Sequence, residues 1–209
     1  MLQRLVRQIR ENLQTKDITV ATNTAQRDNI INQLGNAINI VTETERRGTF
    51  PAIALASSFL AKEKGCGRDE VVVVMPCDVY TENSYFDIIK RMAEAVEANK
   101  ADLVLMGVKP RNASDKFGYI LPKENVVAGS EVQEVELFFE KPDTETARRL
   151  LRMGACWNAG VFAFRLGYMT DIVGKYAQGE SYGDICKAFG AFPKISFDYE
   201  VVEREKSLV

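Results

Sequence analysis

Histidine is absent from the 209-residue chain. That removes the usual general base at neutral pH and the commonest transition-metal ligand together. Any catalysis must rest on carboxylates, lysines, arginines or a bound hard cation. Cysteine is sparse: Cys66, Cys77, Cys156 and Cys186 are spread along the chain. None forms the CxxC pair that marks a zinc site, and scattered reduced thiols suit a cytoplasmic compartment. No apolar run approaches the ~20 residues that span a bilayer. The amphipathic start MLQRLVRQIRENL lacks the apolar stretch of a signal peptide, so no membrane partner is expected. No basic block occurs either, and the formal net charge is -2. Nucleic acid is therefore not an indicated partner.

Hydrophobic residues make up 46% and charged residues 27%, the balance of an ordinary soluble globular protein. The chain is long enough to bury a sizeable core. With no repeat, low-complexity stretch or linker, residues 1–209 read as a single domain.

Leu2, Leu5, Val6, Ile9 and Leu13 recur at helical spacing, predicting a helix over residues 1–14. A short strand over 17–22, a helix over 26–34 and a strand over 39–42 follow. Pro51 opens an alanine-rich helix that Gly65 stops. Val71 to Met75 is a continuous β-branched run, the mark of a strand buried on both faces and hence central and parallel. A helix over 84–99, strands over 102–108, 118–121 and 132–139, a helix over 144–153 and a strand over 161–164 come next. Residues 168–189 read as interrupted helix. Strand and helix alternate through residue 108 and the pattern then turns β-rich. The expected fold is α/β, a doubly wound, mostly parallel sheet with a mixed or antiparallel portion.

Polar residues gather where these strands end, which is where open α/β sheets bind ligands. Asp78 follows Pro76-Cys77 past the Val71–Met75 strand. It can serve a hard cation such as magnesium, which often takes one or two carboxylates plus phosphate oxygens, or simply cap a turn. Glu140-Lys141-Pro142 closes the strand over 132–139. Glu140 can accept from sugar hydroxyls and Lys141 can hold a phosphate, or the two can form a solvated ion pair. Asn158, between Trp157 and the small Ala159-Gly160, can donate and accept. Gly160 can permit close backbone approach or mark the start of a strand. Gly118 can face a sugar ring or serve a turn. Glu43 to Pro51, with Arg47 and Thr49, stands before a helix N-terminus and can meet a nucleotide anion, or form a charged surface loop.

In this order the segments resemble the sugar-nucleotide pyrophosphorylase superfamily, and within it the bacterial mannose-1-phosphate guanylyltransferases. The family's RNTAPAIALA is matched by Arg47 to Ala56, with Gly48 and Phe50 in place of Asn and Ala. Its PADH or PSDH is matched by Pro76-Cys77-Asp78, with Val79 in place of histidine. GYGYI corresponds to Phe117-Gly118-Tyr119-Ile120, FxEKP to Phe138 to Pro142, WNSGMF to Trp157 to Phe162, and SIDYAVME to Ser196 to Glu203. The resemblance implies a Rossmann-like nucleotidyltransferase fold acting on GTP and mannose 1-phosphate to give GDP-mannose and pyrophosphate. It implies that Asp78 binds Mg2+, that Glu140 and Asn158 contact the hexose, and that Lys141 holds its phosphate. Gly118 would line the sugar pocket, with Glu43, Arg47 and Thr49 near the nucleotide. Asp78 and Lys141 would then be the catalytic residues. Asp198 matches no metal ligand and is not assigned one.

The family's glycine-rich GGSGTRLWPLSR loop and its GWSDVGSW-like segment have no counterpart here. The expectations are a sheet without its first strand, impaired transfer by this chain alone, and homo-oligomerisation through exposed edge. A non-catalytic sugar-phosphate or nucleotide-binding remnant is the alternative, as is a related hexose-1-phosphate nucleotidyltransferase.

Overall fold

The computed structural model describes residues 1–35, 38–123 and 132–209. The amphipathic N-terminal segment forms helix α1 (Leu2–Leu13), burying Leu5 and Val6. Strand β1 (Thr19–Asn23), helix α2 (Thr24–Leu34) and strand β2 (Asn39–Glu43) follow. The Asn23 side chain caps α2 by accepting from the Gln26 N–H at 3.1 Å. Helix α3 (Thr49–Lys62) starts two residues before Pro51. Proline is tolerated there because the first turn's N–H groups have no intrahelical acceptor. Then come β3 (Val71–Val74), α4 (Ser84–Glu97), β4 (Leu103–Val108), β5 (Tyr119–Pro122) and β6 (Val135–Phe139). Helix α5 (Thr144–Arg152) is capped by Asp143, and β7 (Cys156–Arg165), α6 (Leu166–Val173), α7 (Tyr182–Lys187) and the single turn α8 (Phe197–Glu200) complete the order. Short 3-10 turns at Phe189–Ala191 and Val202–Arg204 flank α8.

The α/β class holds, but the expected mostly parallel sheet does not. Among the described strands only β1 and β2 pair in parallel, as a separate two-stranded sheet. In the five-stranded sheet β7 runs antiparallel to β3, β4 and β5, and β5 antiparallel to β6. Among the described residues no ladder joins β1 to β3. β7 is long enough to meet three partners. Its end, Phe162 to Phe164, is flanked by β3 on one edge and β4 on the other. Its start, Cys156 to Asn158, lies between β4 and β5. The β-branched run at Val71 reads the same beside a parallel or an antiparallel neighbour, so its composition misleads on direction.

Burial moves with this correction. All four residues of β3 are only half-buried, whereas Val161 to Phe164 of β7 are buried. The centre of the sheet is β7. Val72 and Val74 pack with Phe50, Ile53, Phe162, Phe164 and Phe197 on the α3 side. Val71 and Val73 pack with Leu5, Phe86, Ile89 and Met92 on the opposite side. Each such aromatic or aliphatic side chain contributes about 1.5–3 kcal/mol when fully buried. Phe197 matters most for the site. It is fully buried, with its ring centroid 4.7 Å from that of Phe162, and so anchors α8 against β7.

Candidate functional site

Three strands converge because their registers meet at Tyr119, which pairs with Phe139 of β6 and Trp157 of β7. One residue back, Gly118 therefore faces Glu140 and Asn158. The Asn158 N–H donates to the Gly118 carbonyl at 2.8 Å, and the Lys141 N–H donates to the Phe117 carbonyl at 3.3 Å. A Cβ on Gly118 would lie 2.6 Å from Glu140 Oε2, 2.9 Å from Phe138 Cζ and 3.3 Å from Asn158 Cβ. Glycine is needed here for closeness between side chains.

Glu140 is 6% exposed. Its N–H donates to Glu203 Oε1 at 3.0 Å, and its Oε1 pairs with Lys141 Nζ at 2.8 Å. Burial pushes the Glu140 carboxyl above the usual range; the Lys141 hydrogen bond opposes this, and the Asp198 and Glu203 charges add to it. The simple reading of a solvated pair is thus half right: the partners match, but the acid is buried.

Lys141 departs from expectation. A residue before proline is pushed towards extended backbone, yet Lys141 lies at φ 47. A non-glycine residue held in the left-handed region costs on the order of 1–3 kcal/mol. The bonds to Phe117 and Glu140 hold it there. The Glu140 hydrogen bond raises the Lys141 pKa, and its ammonium sits 5.6 Å from the Tyr199 ring centroid.

Asn158 lies within β7, not at its opening, since the strand starts at Cys156. Its Oδ1 accepts from the Gly160 N–H at 3.0 Å, and its Nδ2 donates to Asp198 Oδ1 at 2.7 Å. Gly160 adopts φ 69, a conformation that costs glycine little. Asp198 is half-buried, and burial pushes its carboxyl up. Asp198, Tyr199 and Glu203 join the site only through the fold. Their segment was visible in the sequence, but no local pattern assigns them a ligand.

Asp78 lies exposed beyond β3. Two residues before it, Pro76 packs by Gly160 of β7: a Cβ on Gly160 would lie 3.8 Å from Pro76 Cγ. Among the described residues no group of three or more His, Cys, Asp or Glu could hold a metal ion. Asp78 fits magnesium only as one carboxylate sharing the ion with substrate phosphates.

Of Glu43, Arg47 and Thr49, only Thr49 meets α8 among the described contacts. The Thr49 hydroxyl accepts from the Phe197 N–H at 2.8 Å. Arg47 turns elsewhere, donating from Nε to the Phe192 carbonyl and from Nη2 to the Gly190 carbonyl, each at 3.0 Å, and pairing with Glu45. Burial raises the Glu43 pKa, with Arg46 opposing. The structure thus brings Gly118, Glu140, Lys141 and Asn158 into one cluster and ties Thr49 to its edge through Phe197, while Asp78 lies exposed beyond β3 without a contact to them among the described residues. Three carboxylates and one ammonium can accept from several hydroxyls and hold one anionic group.

A model of the nucleotidyl transferase family matches residues 1–191. The mannose-1-phosphate guanylyltransferase RfbM of Salmonella typhimurium is 31% identical over 233 residues, covering 100% of this chain and 47% of that protein. The mannose-1-phosphate guanylyltransferase of Escherichia coli K12 is 32% identical over 195 residues, covering 82% of this chain and 40% of that protein. The chain thus spans less than half the length of these relatives. A crystal structure described as mannose-1-phosphate geranyltransferase from Thermus thermophilus superposes with a TM-score of 0.82 at 24% identity, covering 99% of this chain and 62% of that one. This last likeness concerns the fold. No described helix is long and apolar enough to cross a membrane.

Proposed function

We propose that this chain, which belongs to the nucleotidyl transferase family, carries the hexose 1-phosphate half of a guanylyl-transfer site. The observation that carries the reading is the contact of Gly118, Glu140, Lys141 and Asn158 at the meeting of β5, β6 and β7. The buried Glu140 carboxylate accepts from sugar hydroxyls, which desolvation makes stronger acceptor work than it would be in water. Asn158 adds a donor and an acceptor. Lys141 holds the phosphate as a point charge.

The reaction is attack by a mannose 1-phosphate oxygen on the α-phosphorus of GTP. The new oxygen–phosphorus bond forms as the bond from the α-phosphorus to the bridging oxygen breaks, and pyrophosphate leaves. The attacking oxygen is already anionic at neutral pH, so no base is required, and positioning with charge neutralisation supplies the catalysis. A chain without histidine suits that chemistry. Magnesium bound to Asp78 and to phosphate oxygens would neutralise charge on the leaving group. Glu43, Arg47 and Thr49 form the nucleotide border, with Arg47 acting through the loop that it ties to residues 190 and 192.

The experiment is pyrophosphate release by the purified chain with GTP, mannose 1-phosphate and magnesium, beside calorimetry with each substrate. Binding of mannose 1-phosphate together with release supports the full reading. Binding without release reduces it to a sugar-phosphate-binding module, and no binding of either substrate overturns it.

A further inference from the structure

Resting on the hexose 1-phosphate reading above, we propose that Asp198 is a sugar-positioning residue. Its carboxylate fixes the orientation of the Asn158 carboxamide and presents further acceptor oxygen to a hexose hydroxyl beside Glu140.

The two ends of the Asn158 side chain face opposite chemistry. Nδ2 donates to a carboxylate oxygen of Asp198 at 2.7 Å, and Oδ1 accepts from the Gly160 N–H at 3.0 Å. A flipped amide would set oxygen against oxygen and N–H against N–H, so a single orientation survives. One amide N–H and one lone pair then remain for a ligand. A carboxylate has about four acceptor positions, and the Asn158 amide uses one of those on Asp198.

Asp198 is also held rigidly. Phe197 beside it is fully buried against Phe162 and Phe164. The Thr49 hydroxyl accepts the Phe197 N–H, and Ser196 Oγ accepts the Tyr199 N–H at 3.3 Å. Contacts to β7 and α3 and the turn's own Ser196 cap fix one short turn, which is what a recognition group needs if it is not to lose entropy on binding. Burial holds the Asp198 carboxyl up, and a donating hydroxyl would relieve that cost. Lys141 and Glu203 are the other charges that act on it.

The test compares Asp198→Asn with the reciprocal double variant Asn158→Asp/Asp198→Asn. The double variant keeps a donor–acceptor pair but moves the carboxylate onto β7. Mannose 1-phosphate affinity is read by calorimetry, and folding by circular dichroism melts. Asp198→Asn should weaken binding at least about tenfold, the loss expected for a hydrogen bond to a charged group, while the melt stays cooperative. The double variant should not regain wild-type affinity. Asp198→Ser, which also removes the carboxylate, should weaken binding likewise and gives the comparison in a second background. Wild-type affinity in the single variants, or full restoration in the double variant, overturns the inference while leaving the hexose 1-phosphate reading intact. A wild-type chain that binds no hexose 1-phosphate overturns both.

Discussion

Gly118 and Glu140 approach so closely that a Cβ on Gly118 would lie 2.6 Å from Glu140 Oε2. This fixes what a methyl group there would do. Gly118→Ala should push the carboxylate away from Lys141 and lower stability by about 1–3 kcal/mol through overpacking. Mannose 1-phosphate binding should fall with it. Gly160→Ala provides the contrast: its Cβ would make only an ordinary contact, but φ 69 is unfavourable for alanine. Its cost should be about 1–2 kcal/mol from backbone strain. Urea melts of both variants, with calorimetry, separate the two causes.

The buried acids set a pH dependence. Burial raises the carboxyls of Glu140 and Asp198 above their ordinary values, in a field shared with Lys141 and Glu203. A carboxyl with a raised folded pKa holds its proton more tightly in the folded chain. Its contribution to stability therefore falls as pH rises from the ordinary carboxylate range through the folded value. Sugar binding should run the other way, because ionised acids accept hydroxyls best. Melting midpoints and mannose 1-phosphate affinity measured from about pH 4 to pH 7 should show opposite slopes, and Glu140→Gln should flatten both.

Much of this site was readable before the fold. Asp78, Glu140, Lys141 and Asn158 stood out because each follows or interrupts an apolar run with a polar group of known chemistry. The helices expected at 84–99 and 144–153 form as Ser84–Glu97 and Thr144–Arg152. Strand direction was not. A β-branched run reports coverage of its faces, and β7 covers β3 and β4 from the antiparallel sense. The parts played by Asp198 and Glu203 were also invisible. Their contacts span forty residues to Asn158 and sixty-three to Glu140, and the packing of Phe197 with its bond to Thr49 brings them back. The left-handed backbone of Lys141 contradicts the usual effect of a following proline, and it arises from tertiary hydrogen bonds.

Arg47 makes a separable prediction. Its guanidinium fork reaches two carbonyls, of Gly190 and Phe192, that a lysine ammonium cannot engage in the same geometry. Arg47→Ala and Arg47→Lys should each lower stability by about 1–3 kcal/mol, with the melting midpoint falling about 2–4 °C per kcal/mol. GTP affinity should fall with the loosening of the 43–49 loop. Loss of GTP affinity at unchanged stability would instead place Arg47 directly on the nucleotide.

The two sheets should differ in hydrogen exchange. A lone two-stranded sheet is marginal by itself, and β1–β2 draws on its small cluster with Val6, Ile18, Ile30 and Ile38, with Val41 of β2 reaching the main core. The ladder of β7 with β3 and β4 lies in the main core. Amides of Val20 to Asn23 should exchange at least about tenfold faster than those of Val161 to Phe164. Equal protection would mean that both sheets open as one unit.

Gly118, Glu140, Lys141 and Asn158 are proposed to bind a hexose through its hydroxyls and its phosphate together. Calorimetric titration of the chain and of Lys141→Ala with mannose 1-phosphate and with free mannose tests this most directly. The chain should prefer the phosphorylated sugar by at least about tenfold, the scale of one charge-assisted hydrogen bond, and Lys141→Ala should remove that preference. Equal affinity for both sugars, or a preference unchanged in Lys141→Ala, would contradict it.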